Sequence, residues 1–193
     1  MDILVTKYIG IRGTALLARS KYNELLKKVP KWLADEAGLF DEGINEGYQN
    51  SVLKEIDIAL SNKAVYAKEY VEFGVFEALF ALSKELKTGL LIDIKAIPIK
   101  QETVEVCEAL GCNPYALYSG YSAVIATPCG EELKNILAEA GILANIVGHT
   151  TDNNDKILIN EDERSFLPHI RKDELKNILG RREYYERTDS VNC

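Results

Sequence analysis

Gly10, Gly13 and Thr14 stand in the stretch GIRGT, immediately before a helical pattern. Backbone N–H groups at a helix start can hold an anion, and glycines let a phosphate come close to the chain. The same stretch also reads as a tight turn feeding the helix, and two glycines three apart favour the turn. A second group, Lys68, Glu69 and Glu72, precedes a helix that begins near Gly74. A buried Lys–Glu pair can do acid–base work. The plainer reading is a charged strand edge with carboxylates near a helix dipole. A third group gathers Tyr115, Tyr118, Ser119, Gly120 and Tyr121 in a turn, where they either face a ligand or cover a core edge. Gln101, Glu102 and Glu105 fall in the first turn of a helix, where acidic residues are ordinary helix-start chemistry. His149 follows a strand at a turn. Cys193 is the final residue, and nothing beside it in sequence lowers its pKa.

Composition removes several other chemistries. The chain has 193 residues, enough for one sizeable domain. Its formal net charge is -7, and Arg181, Arg182 and Arg187 are offset by Glu183, Glu186 and Asp189, so no nucleic-acid surface is expected. No apolar run approaches the roughly 18 residues of a membrane span. MDILVTKYIG lacks the layout of a signal peptide, so a cytoplasmic location is expected. The closest cysteines, Cys107 and Cys112, are five apart and there is no CxxC, so no metal site is expected.

These residues need elements to hold them. Residues 3–9 read as extended, and Ala15, Ala18, Tyr22, Leu25 and Val29 fall at helical spacing up to Pro30. Trp32, Leu33 and Phe40 are apolar anchors, and 41–50 reads as an exposed loop. Ser51 can cap a helix whose face is Val52, Leu53, Ile56, Ala59 and Leu60. A strand over 64–70 leads to an amphipathic helix from Gly74, stopped by Gly89. A further strand covers 90–94. A helix over 102–110, with Val104, Cys107 and Leu110 inward, ends at Gly111. The apolar run 122–127 is an internal strand, and 131–140 is a helix. Strands 142–148 and 156–160 read as a hairpin closed by 150–155. A last helix runs from Asp173 to about Tyr185. The domain is expected over 1–180, with 181–193 a flexible tail. Alternating helices and strands with one hairpin predict an α/β (α+β) fold: a mixed sheet of about four core strands with packed helices.

IPIKQETVEVCEALGCNPYALYSG (97–120) resembles the C-terminal domain of the AIR synthase-related (PurM/HypE-like) superfamily, which includes hydrogenase-maturation proteins. The likeness rests on Ile97-Pro98-Ile99, Gln101 to Glu105, Cys107-Glu108, Asn113-Pro114-Tyr115 and Ser119-Gly120. IGIRGTALLA, AGILANIVGHTT, NNDKILINEDER and KDEL (172–175) extend it over about residues 3–179. The resemblance implies a PurM C-terminal-domain-like sandwich, pairing into a homodimer, and a ligand-facing set of Gly10, Gly13, Thr14, Lys68, Glu69, Glu72, Ser119 and Gly120. It also implies an N-terminal domain supplying ATP and magnesium chemistry, which this chain is expected to lack. Where the resembled proteins carry a His-Asp-x-Thr-x-Gly-Gly type motif, this chain has Lys68, Glu69, Val71, Phe73 and Gly74.

The expected function is therefore a stand-alone, degenerate domain that binds without catalysis of its own. Its partners would be a second copy, a PurM-like ATP-domain protein or a small phosphorylated ligand. The alternative is one subunit of a split ATP-dependent enzyme, with ATP and magnesium brought only by the partner. A weaker expectation is a carbamoyl-acceptor thiol at Cys193, as the HypE-like members end in a reactive cysteine.

Overall fold

The computed structural model describes residues 1–42 and 44–189, excepting the side chains of 44–51, 181–182 and 186–189. Its strands are β1 (Asp2–Thr6), β2 (Tyr66–Tyr70), β3 (Gly89–Asp93), β4 (Ser122–Thr127), β5 (Ala144–Thr151), β6 (Lys156–Asn160) and β7 (Glu163–Phe166). Its helices are α1 (Ile11–Ser20), α2 (Tyr22–Leu25), α3 (Lys31–Gly38), α4 (Ile44–Ser61), α5 (Gly74–Leu86), α6 (Gln101–Leu110), α7 (Gly130–Glu139) and α8 (Glu174–Asp189).

All seven strands form one mixed sheet in the order β2-β4-β1-β5-β3-β6-β7. The expected α/β class with packed helices holds, but with seven strands where about four core strands were expected. β4 lies between β2 and β1 with all six residues buried, as its unbroken apolar run requires. The expected hairpin does not form. β3 sits between β5 and β6, antiparallel to the first and parallel to the second, and β6 instead turns back on β7. Gly89 makes room for this. A Cβ there would stand 2.3 Å from Thr151 Oγ1, 2.4 Å from Asn153 Oδ1 and 2.5 Å from the Asp155 carbonyl. The 151–155 turn therefore folds over the start of β3, where the Leu90 N–H donates to the Asp155 carbonyl at 2.8 Å. Gly89 is not a helix stop. α5 ends three residues earlier, with Lys87 in the left-handed region.

One face of the sheet is covered by α5, whose Val75, Phe76, Leu79 and Leu82 pack on Ile3, Val5, Val124, Ala126, Leu90 and Ile92. The opposite face is covered by α4 and α7 over β4, β1 and β5, through Ala59, Leu133 and Leu137 against Leu4, Ile125 and Ala144. Fully burying one such large aliphatic side chain stabilises the fold by about 1.5–3 kcal/mol. A separate helical cluster joins α1, α3, α6 and α8 through Leu16, Leu17, Leu33, Val106, Cys107 and Leu175.

Other local expectations shift. The single helix expected up to Pro30 breaks at Lys21 into α1 and α2. The loop expected over 41–50 is helical from Ile44, so Ser51 lies inside α4 rather than capping it. Trp32 is 62% exposed, not an anchor, while Leu33 is buried. In α6 the buried residues are Thr103, Val106 and Cys107, with Val104 and Leu110 only half-buried. α8 continues to Asp189 across a break at Gly180, with Tyr184 buried.

Candidate functional site

The start of α1 is packed against the segment that follows α6. Gly10 is the N-cap in the left-handed region (φ 68°), a conformation open to glycine without cost. Its N–H donates to Ser119 Oγ at 2.8 Å. Thr14 Oγ1 donates to the Gly10 carbonyl at 2.7 Å and lies 3.1 Å from Thr103 Oγ1. The Gly13 N–H donates to the Tyr118 carbonyl at 3.0 Å. A Cβ on Gly13 would stand 2.5 Å from that carbonyl and 2.6 Å from Leu117 Cγ, so only glycine allows the approach. The Ser119 and Gly120 N–H groups donate to the Val71 and Tyr70 carbonyls at 2.7 and 3.2 Å. Gly10, Gly13, Thr14, Ser119 and Gly120 thus meet in one buried junction and bond chiefly to one another and to the end of β2.

The segment 97–120 builds this junction. Gly111 closes α6 in the left-handed region, and Asn113 Oδ1 accepts the Tyr115 N–H at 3.0 Å to set the next turn. Tyr115 then stacks on Phe76 at 4.9 Å between ring centroids. Those contacts deliver Leu117 to Gly120 against α1.

The charged candidates are not brought together in the same way. Lys68 and Glu69 are successive strand residues and point to opposite faces of the sheet. Lys68 Nζ pairs with Glu85 at 2.5 Å on the surface, which raises its pKa. Glu69 Oε1 accepts the Tyr121 N–H at 3.1 Å, and Glu72 Oε1 accepts the Tyr184 hydroxyl at 2.8 Å. Phe73 holds a left-handed backbone (φ 63°) beside Gly74, so the geometry a glycine would take persists without the glycine.

The Phe73 N–H donates to Asp173, a residue that sequence reasoning placed only at a helix start. Asp173 is buried and accepts three backbone N–H groups: Phe73 at 2.6 Å, Leu175 at 2.8 Å and Tyr118 at 3.2 Å. Burial pushes its carboxyl up to about 6, against the pull of those three donors. Its position just before Glu174 is the sequence signal of an N-cap; its reach to Phe73 and Tyr118 has none. Sequence reasoning also missed a buried ion pair. Lys7 Nζ lies 2.8 Å from Glu55 Oε2, and Thr6 Oγ1 donates to Glu55 Oε1 at 2.6 Å. Arg12, inside GIRGT itself, carries no sequence signal that sets it apart from the glycines that flank it.

Among the described residues no group of three or more His, Cys, Asp or Glu is placed to hold a metal ion. Glu69, Glu72 and Asp173 each accept from donors of the chain. Cys107 is buried beside Cys112, which together with burial raises its thiol pKa. Cys193 lies outside the described residues. No described helix is long and apolar enough to cross a membrane.

A different surface is open. Leu91, Ile157 and Ile159 lie on the β3–β6 face opposite α5 and belong to none of the buried clusters. Phe166 on the edge strand pairs with Ile157, shares that face and is 72% exposed. A groove of about 480 Å³ runs there, lined by Leu91, Thr151, Asp155, Ile157, Arg164 and Phe166.

No family model matches the chain, and no curated protein matches it in sequence. Solved structures do. Escherichia coli HypE superposes with a TM-score of 0.67 at 16% identity, over 92% of this chain and 52% of that one. HypE in the HypE–HypF complex gives 0.63 at 18%, over 86% and 52%. Thiamine-monophosphate kinase from Aquifex aeolicus gives 0.54 at 16%, over 82% and 51%. The chain spans about half the length of each, and at these identities the shared property is the fold: a mixed sheet with packed helices, common to HypE and thiamine-monophosphate kinase within the PurM/AIR synthase-like superfamily.

Proposed function

We propose that this domain acts by binding and assembly, without catalysis or a cofactor of its own. The observation that carries this reading is the partly open apolar half of the sheet, where half-buried Leu91 and Ile157 and exposed Phe166 have no described helix over them. An exposed apolar face on a strand layer fits a protein partner better than a small polar substrate. The polar groups expected to face a ligand support it in turn, because most are engaged within the chain. The partner is a second copy or a PurM-like ATP-domain protein. One solved relative is described in complex with another protein, HypF.

A second reading has one observation in its favour. One solved relative, HypE, is described in complex with ATP, which suits one subunit of a split ATP-dependent enzyme, with ATP and magnesium brought by a partner domain.

Light scattering of the purified chain over a concentration series, alone and with an ATP-domain protein, tests both. Association that is lost in Phe166→Asp supports the binding reading. A monomer at every concentration that captures no ATP-domain protein overturns both. Nucleotide hydrolysis by the chain alone overturns the first. Hydrolysis that appears only in the mixture favours the second.

A further inference from the structure

Arg12 stands in the first turn of α1, a ten-residue helix with no acidic residue in that turn and no side-chain cap at its start. The residue is 4% exposed, and its Nε and Nη2 atoms have no hydrogen-bond partner among the described residues. Arginine is always charged at physiological pH, so a buried guanidinium with unmatched donors calls for a counter-anion. Two aromatic rings lie beside it. The Tyr118 and Tyr121 rings each lie 5.6 Å from its central carbon. They stabilise the cation through their faces but accept no in-plane hydrogen bond from it.

The carboxylates around those rings are engaged elsewhere. Glu69 accepts the Tyr121 N–H, Glu72 accepts the Tyr184 hydroxyl, and Asp173 accepts three backbone N–H groups. Asp41 is bound by Arg19 at 2.8 Å. None of the four pairs with Arg12.

The Nε–H bond and one Nη2–H bond of a guanidinium run parallel along one edge, which matches two oxygens of a single oxyanion. The first N–H groups of α1 are not part of this grip, because those of Arg12 and Gly13 donate to the Ser119 and Tyr118 carbonyls at 3.4 and 3.0 Å. We propose that Arg12 is the receptor of a phosphate-binding site, gripping a phosphate group by its Nε/Nη2 edge with Tyr118 and Tyr121 flanking the guanidinium plane. Gly120 borders the site: a Cβ there would lie in ordinary contact with Arg12 Cδ at 3.6 Å, and it is the left-handed backbone (φ 68°) that favours glycine. The proposal rests on the binding reading above only in giving it a small phosphorylated ligand, and it needs neither protein partner.

The test is NMR of the full ¹⁵N-labelled chain, following the Arg12 Nε–H signal while inorganic phosphate is added at constant ionic strength, with acetate as the comparison. The signal is assigned by its loss in Arg12→Lys. Phosphate should shift it saturably, and Arg12→Lys should weaken phosphate binding, read on neighbouring backbone amides, by about tenfold or more, because lysine cannot present two parallel donors. An Nε–H signal that phosphate leaves unmoved in the wild-type chain overturns the proposal, and so does acetate binding as tightly as phosphate. The wild-type titration stands even if the variant does not fold. A chain that stays monomeric but binds phosphate separates this inference from the assembly reading, and the reverse result does so equally.

Discussion

The α1 junction and the β3–β6–β7 half of the sheet are opposites. At the junction, backbone and hydroxyl groups from α1, the end of β2, the 117–120 segment and Asp173 are matched at 2.6–3.2 Å, and Gly13 leaves no room for a side chain. In the sheet half, one layer is buried under α5 and the other carries half-buried Leu91 and Ile157 and an exposed Phe166, with no described helix packed on them. The residue types that signal chemistry in a sequence collected in the first region, where packing uses them. The open surface is made of aliphatic residues at strand spacing, which signal nothing but a strand. Arg12 is the exception, because it lies in the closed region with its donors unmatched.

The sharpest way to break this contrast is to damage the closed region. Asp173→Ala would strand three backbone N–H donors, two of them buried, and should cost about 4 kcal/mol of stability by chemical denaturation. A loss below about 1 kcal/mol would mean that the junction is not held through this carboxylate. Gly13→Ala is next: its methyl meets the Tyr118 carbonyl and Leu117, and the expected loss is about 3 kcal/mol.

The third effect is a pH dependence. The Asp173 carboxyl is raised in the folded chain, to about 6, from an ordinary value of 3.8. The folded state therefore binds the proton more tightly than the unfolded state. The resulting stabilisation is full below 3.8 and is lost as pH rises through about 6. It should amount to about 2 kcal/mol, read as the difference between wild type and Asp173→Asn in denaturation midpoints from pH 4 to 7. An unchanged difference across that range would mean that the three N–H donors outweigh burial. The smallest effect belongs to the open region. Phe166→Asp should change stability by less than about 0.5 kcal/mol, because the ring is exposed. A larger loss would show that the face is covered within the chain.

Much of the fold was legible. α5 begins at Gly74 as its apolar spacing predicts, α6 closes at Gly111, and β4 is internal because every residue in it is apolar or small. Of the residues expected to face a ligand, Gly10, Gly13, Thr14, Ser119 and Gly120 do converge, although they are more than a hundred residues apart at the extremes, and they bond chiefly within the chain. The resemblance carried by 97–120 pointed to that convergence, and spacing alone did not. The hairpin expectation failed because two strands close in sequence pair by default only when nothing long-range competes. Here β3 enters between them, and the missing side chain at Gly89 admits the turn that makes this possible.

What the sequence determined by itself is local: where apolar periodicity changes from helix to strand, and which glycines and caps end each element. Those signals depend on neighbours a few residues away. Strand order, the reach of Asp173 to Phe73 and Tyr118, the Lys7–Glu55 pair and the unmatched donors of Arg12 were decided only in the tertiary structure. Each depends on which distant group arrives to fill a buried valence, and no short-range pattern in the chain records that arrival.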